Sequence, residues 1–251
     1  MKSEVATTAT LLGEPLPVEL MNTVNAGRDG IHDALAGDGG AAAWLREVAD
    51  RIGAEAGTGP GQLDDEAVRP AAGALRELRD ALRRLAAEAT GDPRPPATAP
   101  ELTRPEAIAT LNALAKTWPE LVWPAGGHPS RAYRAHGSAS LAVQLIAHQG
   151  VELFAGPGQD RLRPCLAPNC LLFFAKDHAR REWCSPGCGN RARVARHYQR
   201  HHPARQDLRQ TPDADQHSRP RPSDRPASAS NCDRSSPLVT WADHKSTPSA
   251  W

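Results

Sequence analysis

Residues 163–193 read RPCLAPNCLLFFAKDHARREWCSPGCGNRAR and hold four of the five cysteines of the chain. Cys165 and Cys170 are separated by four residues, Cys184 and Cys188 by three, and thirteen residues lie between the pairs. Each close pair can grip one metal ion from a turn, and the intervening segment returns the chain to it. Structural zinc takes four protein ligands in a tetrahedron, which Cys165, Cys170, Cys184 and Cys188 supply. Two alternatives stay open. A histidine such as His178, His197 or His201 can stand in for one thiolate, or the thiols can act as a redox switch that releases zinc on oxidation.

Working outward, the residues after Cys188 read as a presentation device. Gly189 can adopt backbone shapes closed to other residues, and Asn190 can cap a helix from Arg191 to His202. Arg193, Arg196 and Arg200 recur at spacings of three and four, with Arg191 nearby. Val194 and Tyr198 lie on another face, suited to packing on Phe173, Phe174 or Trp183. Those three aromatics read as core anchors of the module. The guanidinium groups Arg191, Arg193, Arg196 and Arg200 suit DNA, through phosphates or guanine edges. Neutralising about four phosphates gives a log–log salt slope of roughly −3.6. The bland alternative is a solvated cationic surface.

Composition agrees with that placement of charge. The chain of 251 residues has a net charge of only +1. Residues 151–205 carry ten Lys and Arg against four Asp and Glu, a formal +6. Zinc with four thiolates adds about −2, leaving the module basic. No apolar run is long enough to span a bilayer, and MKSEVATTAT does not read as a secretory signal. Clustered cysteines without that signal point to a cytoplasmic setting.

The amino-terminal part reads as helical. Leu16, Leu20 and Val24 suggest a first helix, started near Pro15 or Pro17, within residues 13–26. A Gly/Asp-rich stretch, 27–40, follows. Ala41, Trp44, Leu45, Val48 and Ile52 make a second helix, ended by Gly57–Gly61. Val68, Ala71, Leu75, Leu78, Leu82, Leu85 and Ala89 make a long third, with Asp64 and Asp65 at its start and Gly91-Asp-Pro at its end. Thr103-Arg-Pro-Glu106 is a capping-box pattern opening a fourth with Ile108, Leu111 and Leu114. Leu121–Trp123 and Ser130–Ala135 flank Pro124–Gly127 as a small hairpin. Ser138 caps a fifth helix that ends at Gly156-Pro-Gly158. Asn22 and Thr23 are polar residues on an apolar helix and are candidate ligand contacts, although such residues more often satisfy nearby backbone. Arg76 and Arg79 read as structural pairs for Glu77, Asp80 or Glu19. The segment 206–251, rich in Ser, Pro, Asp and Arg, is expected to be disordered, with Cys232 a bystander.

The fold class expected is therefore mainly α. A helical domain with a small β-hairpin (1–155) precedes a small zinc-binding module ending in a helix (156–205) and a disordered tail (206–251). No phosphate loop, nucleophile elbow or His-Glu-x-x-His motif marks an enzyme, and four cysteines leave zinc no open position.

Residues 161–202 resemble the CGNR zinc-finger domain of bacterial proteins. Arg163, Cys165, Cys170, Phe173 or Phe174, Arg181, Trp183, Cys184, Ser185, Cys188, Gly189, Asn190, Arg191 and Arg193 carry the match. Gly13-Glu-Pro-Leu16 with Glu19-Leu-Met-Asn22-Thr23 resembles the ABATE domain that usually precedes it. The resemblance implies a stress-linked, zinc-binding transcription regulator. Lys176-Asp177-His178-Ala179 lacks the serine common in that family, and Glu19 stands where aspartate is frequent. The expected partners are DNA, a second copy of the chain and a small-molecule effector. A structural module for protein contact and a zinc–thiolate redox sensor are the runner-up readings.

Overall fold

The computed structural model describes residues 11–27, 29–57, 65–99, 101–133 and 137–201. They belong to one compact unit, Met1–Pro203. Asp64, His136, Cys232 and the whole of 206–251 lie outside the described residues.

Helix α1 (Leu16–Met21) starts with Pro17 in its first turn, where a missing N–H costs nothing. It is shorter than the apolar spacing suggests. Asn22 ends it, Thr23 turns its hydroxyl back onto Leu20 O at 2.8 Å, and Val24 opens a strand. Strand β1 (Val24–Gly27) pairs antiparallel with β2 (Gly30–Asp33), in register Val24↔Asp33. The β-branched pair Thr23–Val24, followed by glycines at both sides of the turn, favours extended chain over a further helical turn. The second expected helix is two. Helix α2 (Gly37–Glu47) and α3 (Ala49–Ala56) break at Val48, whose φ of −101° and ψ of 3° are not helical.

Helix α4 (Asp65–Thr90) is the axis of the fold. Val68, Ala72, Leu75, Leu78, Leu82 and Ala86 are fully buried along it, a stripe wide enough to receive neighbours on two sides. It packs against α1, α2, α5 (Arg104–Leu114) and α6 (Ser138–Ala155). Thr103 caps α5 with the full reciprocal capping box to Glu106. Between α5 and α6, β3 (Pro119–Val122) pairs with β4 (Ser130–Tyr133), the hairpin expected there. Gly137 precedes α6 as its cap, and Ser138 is the first helical residue instead. In α6, Gly150 is where three helices meet: a Cβ there would lie 2.8 Å from Leu82 and 3.1 Å from Leu111.

After α6, a single 3-10 turn leads into β5 (Leu162–Pro164), which pairs antiparallel with β6 (Phe173–Ala175). Strand β5 rests on α4 and β6 on α1, so this hairpin is part of the main core, to which Leu162 and Phe173 contribute. The chain ends its described course in α7 (Pro186–His201). The architecture is thus mainly helical with small hairpins, and the cysteine module ends in a helix.

Candidate metal centre and arginine helix

The β5–β6 hairpin and the start of α7 bring the cysteines together. Cys165 leaves β5, a tight turn with Asn169 at φ 57° reverses the chain, and Cys170 re-enters toward β6. Cys165 N–H donates to Leu172 O at 2.9 Å and Cys170 N–H to Ala167 O at 3.0 Å, which holds the turn. The N–H groups of Ala167 and Leu172 are directed at the sulfurs of Cys165 and Cys170 respectively. On the other side, Cys184 lies just ahead of α7 and Cys188 in its first turn. Ser185 caps that turn: its Oγ accepts Cys188 N–H at 3.3 Å, with Pro186 as first helical residue.

All four sulfurs lie within 4.8 Å of one another and all four cysteines are buried. Cys170 and Cys184 are 3.8 Å apart, Cys184 and Cys188 3.3 Å, and Cys188 and Cys170 3.7 Å. A zinc tetrahedron with Zn–S near 2.3 Å has S···S edges of about 3.8 Å, so the donor set fits the ion in number, kind and size. The thiols also restrain one another's protons. Hydrogen bonds from Cys170 and Cys184 pull Cys165 down to about 2, while its bond to Cys165 pushes Cys170 up to about 12. Cys184 is pushed up by its bonds to Cys165 and Cys170. A divalent cation would relieve that mutual restraint, since metal binding favours the thiolate form of its ligands. Among the described residues the cluster consists of cysteines alone; His178 pairs with Asp177, and His197 and His201 stack on each other along α7.

Two sequence expectations are corrected around this centre, and Arg191 is placed apart from the other arginines. Gly189 and Asn190 are not a turn and a cap, because α7 already runs through both. Gly189 is required for closeness: a Cβ would lie 3.1 Å from the Trp183 ring. Val194 and Tyr198 do not pack inward but are 54% and 60% exposed, and Ala192 is the residue buried instead. Arg191 does not share a face with the other arginines. At about 100° per residue it stands roughly 140–180° around the helix from Arg193, Arg196 and Arg200. Its Nη2 donates to Cys188 Sγ at 3.0 Å, so it belongs to the metal centre. Arg193, Arg196 and Arg200 are exposed on the opposite flank, their guanidiniums lying along the helix toward Asn190 Oδ1, Ala192 O and Arg196 O.

Asn22 and Thr23 come to neither a pocket nor the surface. Asn22, 2% exposed, donates Nδ2 to Phe173 O at 2.9 Å and accepts Phe173 N–H on Oδ1 at 2.8 Å. Thr23, 0% exposed, is engaged with α1. Both side chains spend their polar groups on the fold, and Asn22 extends the β6 edge. Glu14 works beside it, accepting Ala175 N–H at 2.9 Å and pairing with Arg181. Arg181 also donates to Ala175 O at 3.0 Å and lies over the Phe174 ring. Glu19 is buried and accepts the N–H groups of Leu12 and Glu14; it pairs with Arg51, not with Arg76 or Arg79. Burial raises its pKa, against those two N–H groups and Arg51. Arg79 does pair with Asp80, and also with Asp33.

Sequence reasoning overlooked Arg94 and Arg83. Arg94 Nη1 donates to Cys165 O at 3.1 Å, Cys170 O at 2.8 Å and Leu172 O at 3.3 Å, while Asp92 holds the rest of its guanidinium. The knuckle therefore turns N–H groups toward its sulfurs and carbonyls toward Arg94. Arg83 donates to Met21 O at 2.6 Å and Leu171 O at 3.1 Å. Both guanidiniums lie over the Phe173 ring, at 5.4 Å for Arg83 and 5.0 Å for Arg94. The one signal available was an arginine between prolines, Pro93-Arg94-Pro95, just past a helix end.

Residues 14–157 match the ABATE family model, described as "Putative stress-induced transcription regulator". Residues 161–201 match the CGNR zinc finger. No curated protein matches the chain. No described helix is long and apolar enough to cross a membrane.

Proposed function

The chain belongs to the ABATE family, and on that premise we propose that it is a transcription regulator that contacts DNA through Arg193, Arg196 and Arg200, with zinc as structural cofactor. The observation that carries this reading is the placement of charge along α7. Cys188, Gly189 and Ala192 bury its first turns against the metal centre, while Arg193, Arg196 and Arg200 stand exposed within about 60° of one another, without a carboxylate partner among the described residues. A helix anchored at its start and cationic along one exposed flank is a form that can enter the major groove. Zinc, once bound by Cys165, Cys170, Cys184 and Cys188, supplies folding free energy and no open coordination position. Arg191 steadies the Cys188 thiolate in that arrangement.

The helical segment serves as the sensing or dimerising part. A cavity of about 420 Å³ among α4, α5 and α6, bordered by Pro70, Ala74, Leu114, Lys116, Ser140 and Gln144, supports an effector role. A second reading, protein contact through α7, is favoured by exposed Tyr198 on the flank away from the three arginines and by exposed Val194 beside them.

Selection of duplex DNA on zinc-loaded protein, followed by titration across salt, tests the first reading. With three arginines on one flank the expected log–log salt slope is about −2.7. Replacing Arg193, Arg196 and Arg200 by alanine abolishes the shift. No binding at low salt, together with nuclease-insensitive recovery of a protein partner, favours the second reading and removes the first.

A further inference from the structure

On the side of the knuckle away from the cysteines, a cavity of about 60 Å³ lies between the last turns of α4, the loop 92–99 and Leu171–Phe173. Its polar lining is Arg83, Arg84, Arg94, Asp92 and Thr98. Three guanidiniums thus meet one carboxylate. Asp92 is committed to Arg94, and Arg84 is held by Glu88 and Leu102 O. Arg83 is the exception. It is 8% exposed, and its hydrogen-bond acceptors are two neutral carbonyls, Met21 O and Leu171 O. A guanidinium taken out of water with no carboxylate in direct contact is costly. Burial, and then the like charges of Arg94 and Arg79, depress its pKa to about 10 against the weaker pull of Asp80 and Asp92.

Two further observations lie at the same place. Thr98 Oγ1 is buried with no hydrogen-bond partner among the described residues. A buried hydroxyl without a partner forfeits its hydration, so such atoms normally face something that satisfies them. Ala99 beside it holds φ at 40°, a conformation that residues with a Cβ rarely adopt. The wall opposite is the Phe173 ring, and Pro95 and Pro96 stiffen the rim.

We propose that this cavity is a binding site for one small oxyanion, no larger than inorganic phosphate, held by Arg83 and Thr98 behind the zinc knuckle. The volume accommodates about two waters or one such ion and excludes a nucleotide. The net charge of the lining favours an anion over a neutral occupant, and Asp92, neutralised by Arg94, does not oppose it. An oxygen on Thr98 Oγ1 satisfies the hydroxyl, and the ion's charge offsets Arg83. Because Arg83 also grips Leu171 O, the bound ion braces the strand that carries Cys170 toward β6. The site is independent of the DNA reading: it uses neither α7 nor its arginines.

The test is calorimetric titration of zinc-loaded full-length protein with inorganic phosphate at fixed ionic strength, with zinc release to a chelator as second readout. The expected result is one saturable site per chain and slower zinc release with phosphate present. Thr98→Val keeps the side-chain shape, removes the hydroxyl, and is expected to weaken phosphate binding about five- to tenfold. The Arg193→Ala, Arg196→Ala, Arg200→Ala triple variant is expected to bind phosphate as the parent does. Absence of a saturable site, equal binding by Thr98→Val, or loss of binding in the triple variant each overturns the proposal and leaves water as the occupant.

Discussion

Asn22 holds the N–H and the C=O of Phe173 at once, across 151 residues of chain. Nothing else among the described residues substitutes for it at that edge. Asn22→Ala leaves a buried donor and a buried acceptor unpaired, and is expected to cost about 2–4 kcal/mol in urea unfolding. Glu19 gives a prediction of a different kind. Its folded pKa is raised above 4.5, chiefly by burial, so the folded state binds the proton more tightly than the unfolded chain. Its contribution is greatest below 4.5 and is lost as pH rises through the folded value. In Glu19→Gln the amide oxygen still accepts the N–H groups of Leu12 and Glu14. The difference in stability between parent and variant is expected to change across that window and to level off above it; a constant difference would show that Glu19 does not titrate on unfolding. Glu55, also raised by burial, shares Arg51 with Glu19, so parent and variant are compared in a Glu55→Gln background.

At the scale of elements, the decisive local device is Ser185, which caps α7 where two metal ligands lie. Ser185→Ala is expected to cost about 1 kcal/mol and to speed zinc loss to a chelator, since Cys188 N–H loses its acceptor. Why this helix start escaped the sequence is instructive. Pro186, Gly187 and Gly189 look like turn residues, yet Pro suits a first helical position, and Gly189 answers to the nearby Trp183 ring. Val24 misled in the opposite way, falling in register with Leu16 and Leu20 although its backbone belongs to β1. The stripe of α2 likewise runs on across Val48 into α3, and periodicity alone does not register a break that preserves the apolar side. What the sequence did disclose was strongly local or strongly periodic: the α4 stripe, the Thr103–Glu106 capping box, the β3–β4 turn and the two cysteine pairs. Arg83, Arg94 and Glu14 were not legible as a brace, because their partners are largely peptide groups 62 or more residues away. Backbone partners leave no complementary residue type to find.

For the whole molecule, the cysteine hairpin is continuous with the helical core through Phe173, Asn22, Glu14, Arg83 and Arg94. Removing zinc is therefore expected to loosen more than residues 161–201. Amide hydrogen exchange at Leu12, Glu14 and Phe173 should rise together on chelation, while the α4–α6 core stays protected. Exchange confined to 161–201 would mean that the brace carries no energy. The same connections set an order on biosynthesis. Residues 14 and 22 emerge from the ribosome long before Ala175 and Phe173, their partners 161 and 151 residues later. Helix α1 waits with its buried polar groups unmatched until almost the last described segment arrives. If that segment gains its folding energy from zinc, as proposed, an early-made helix is completed late, at a moment set by metal supply.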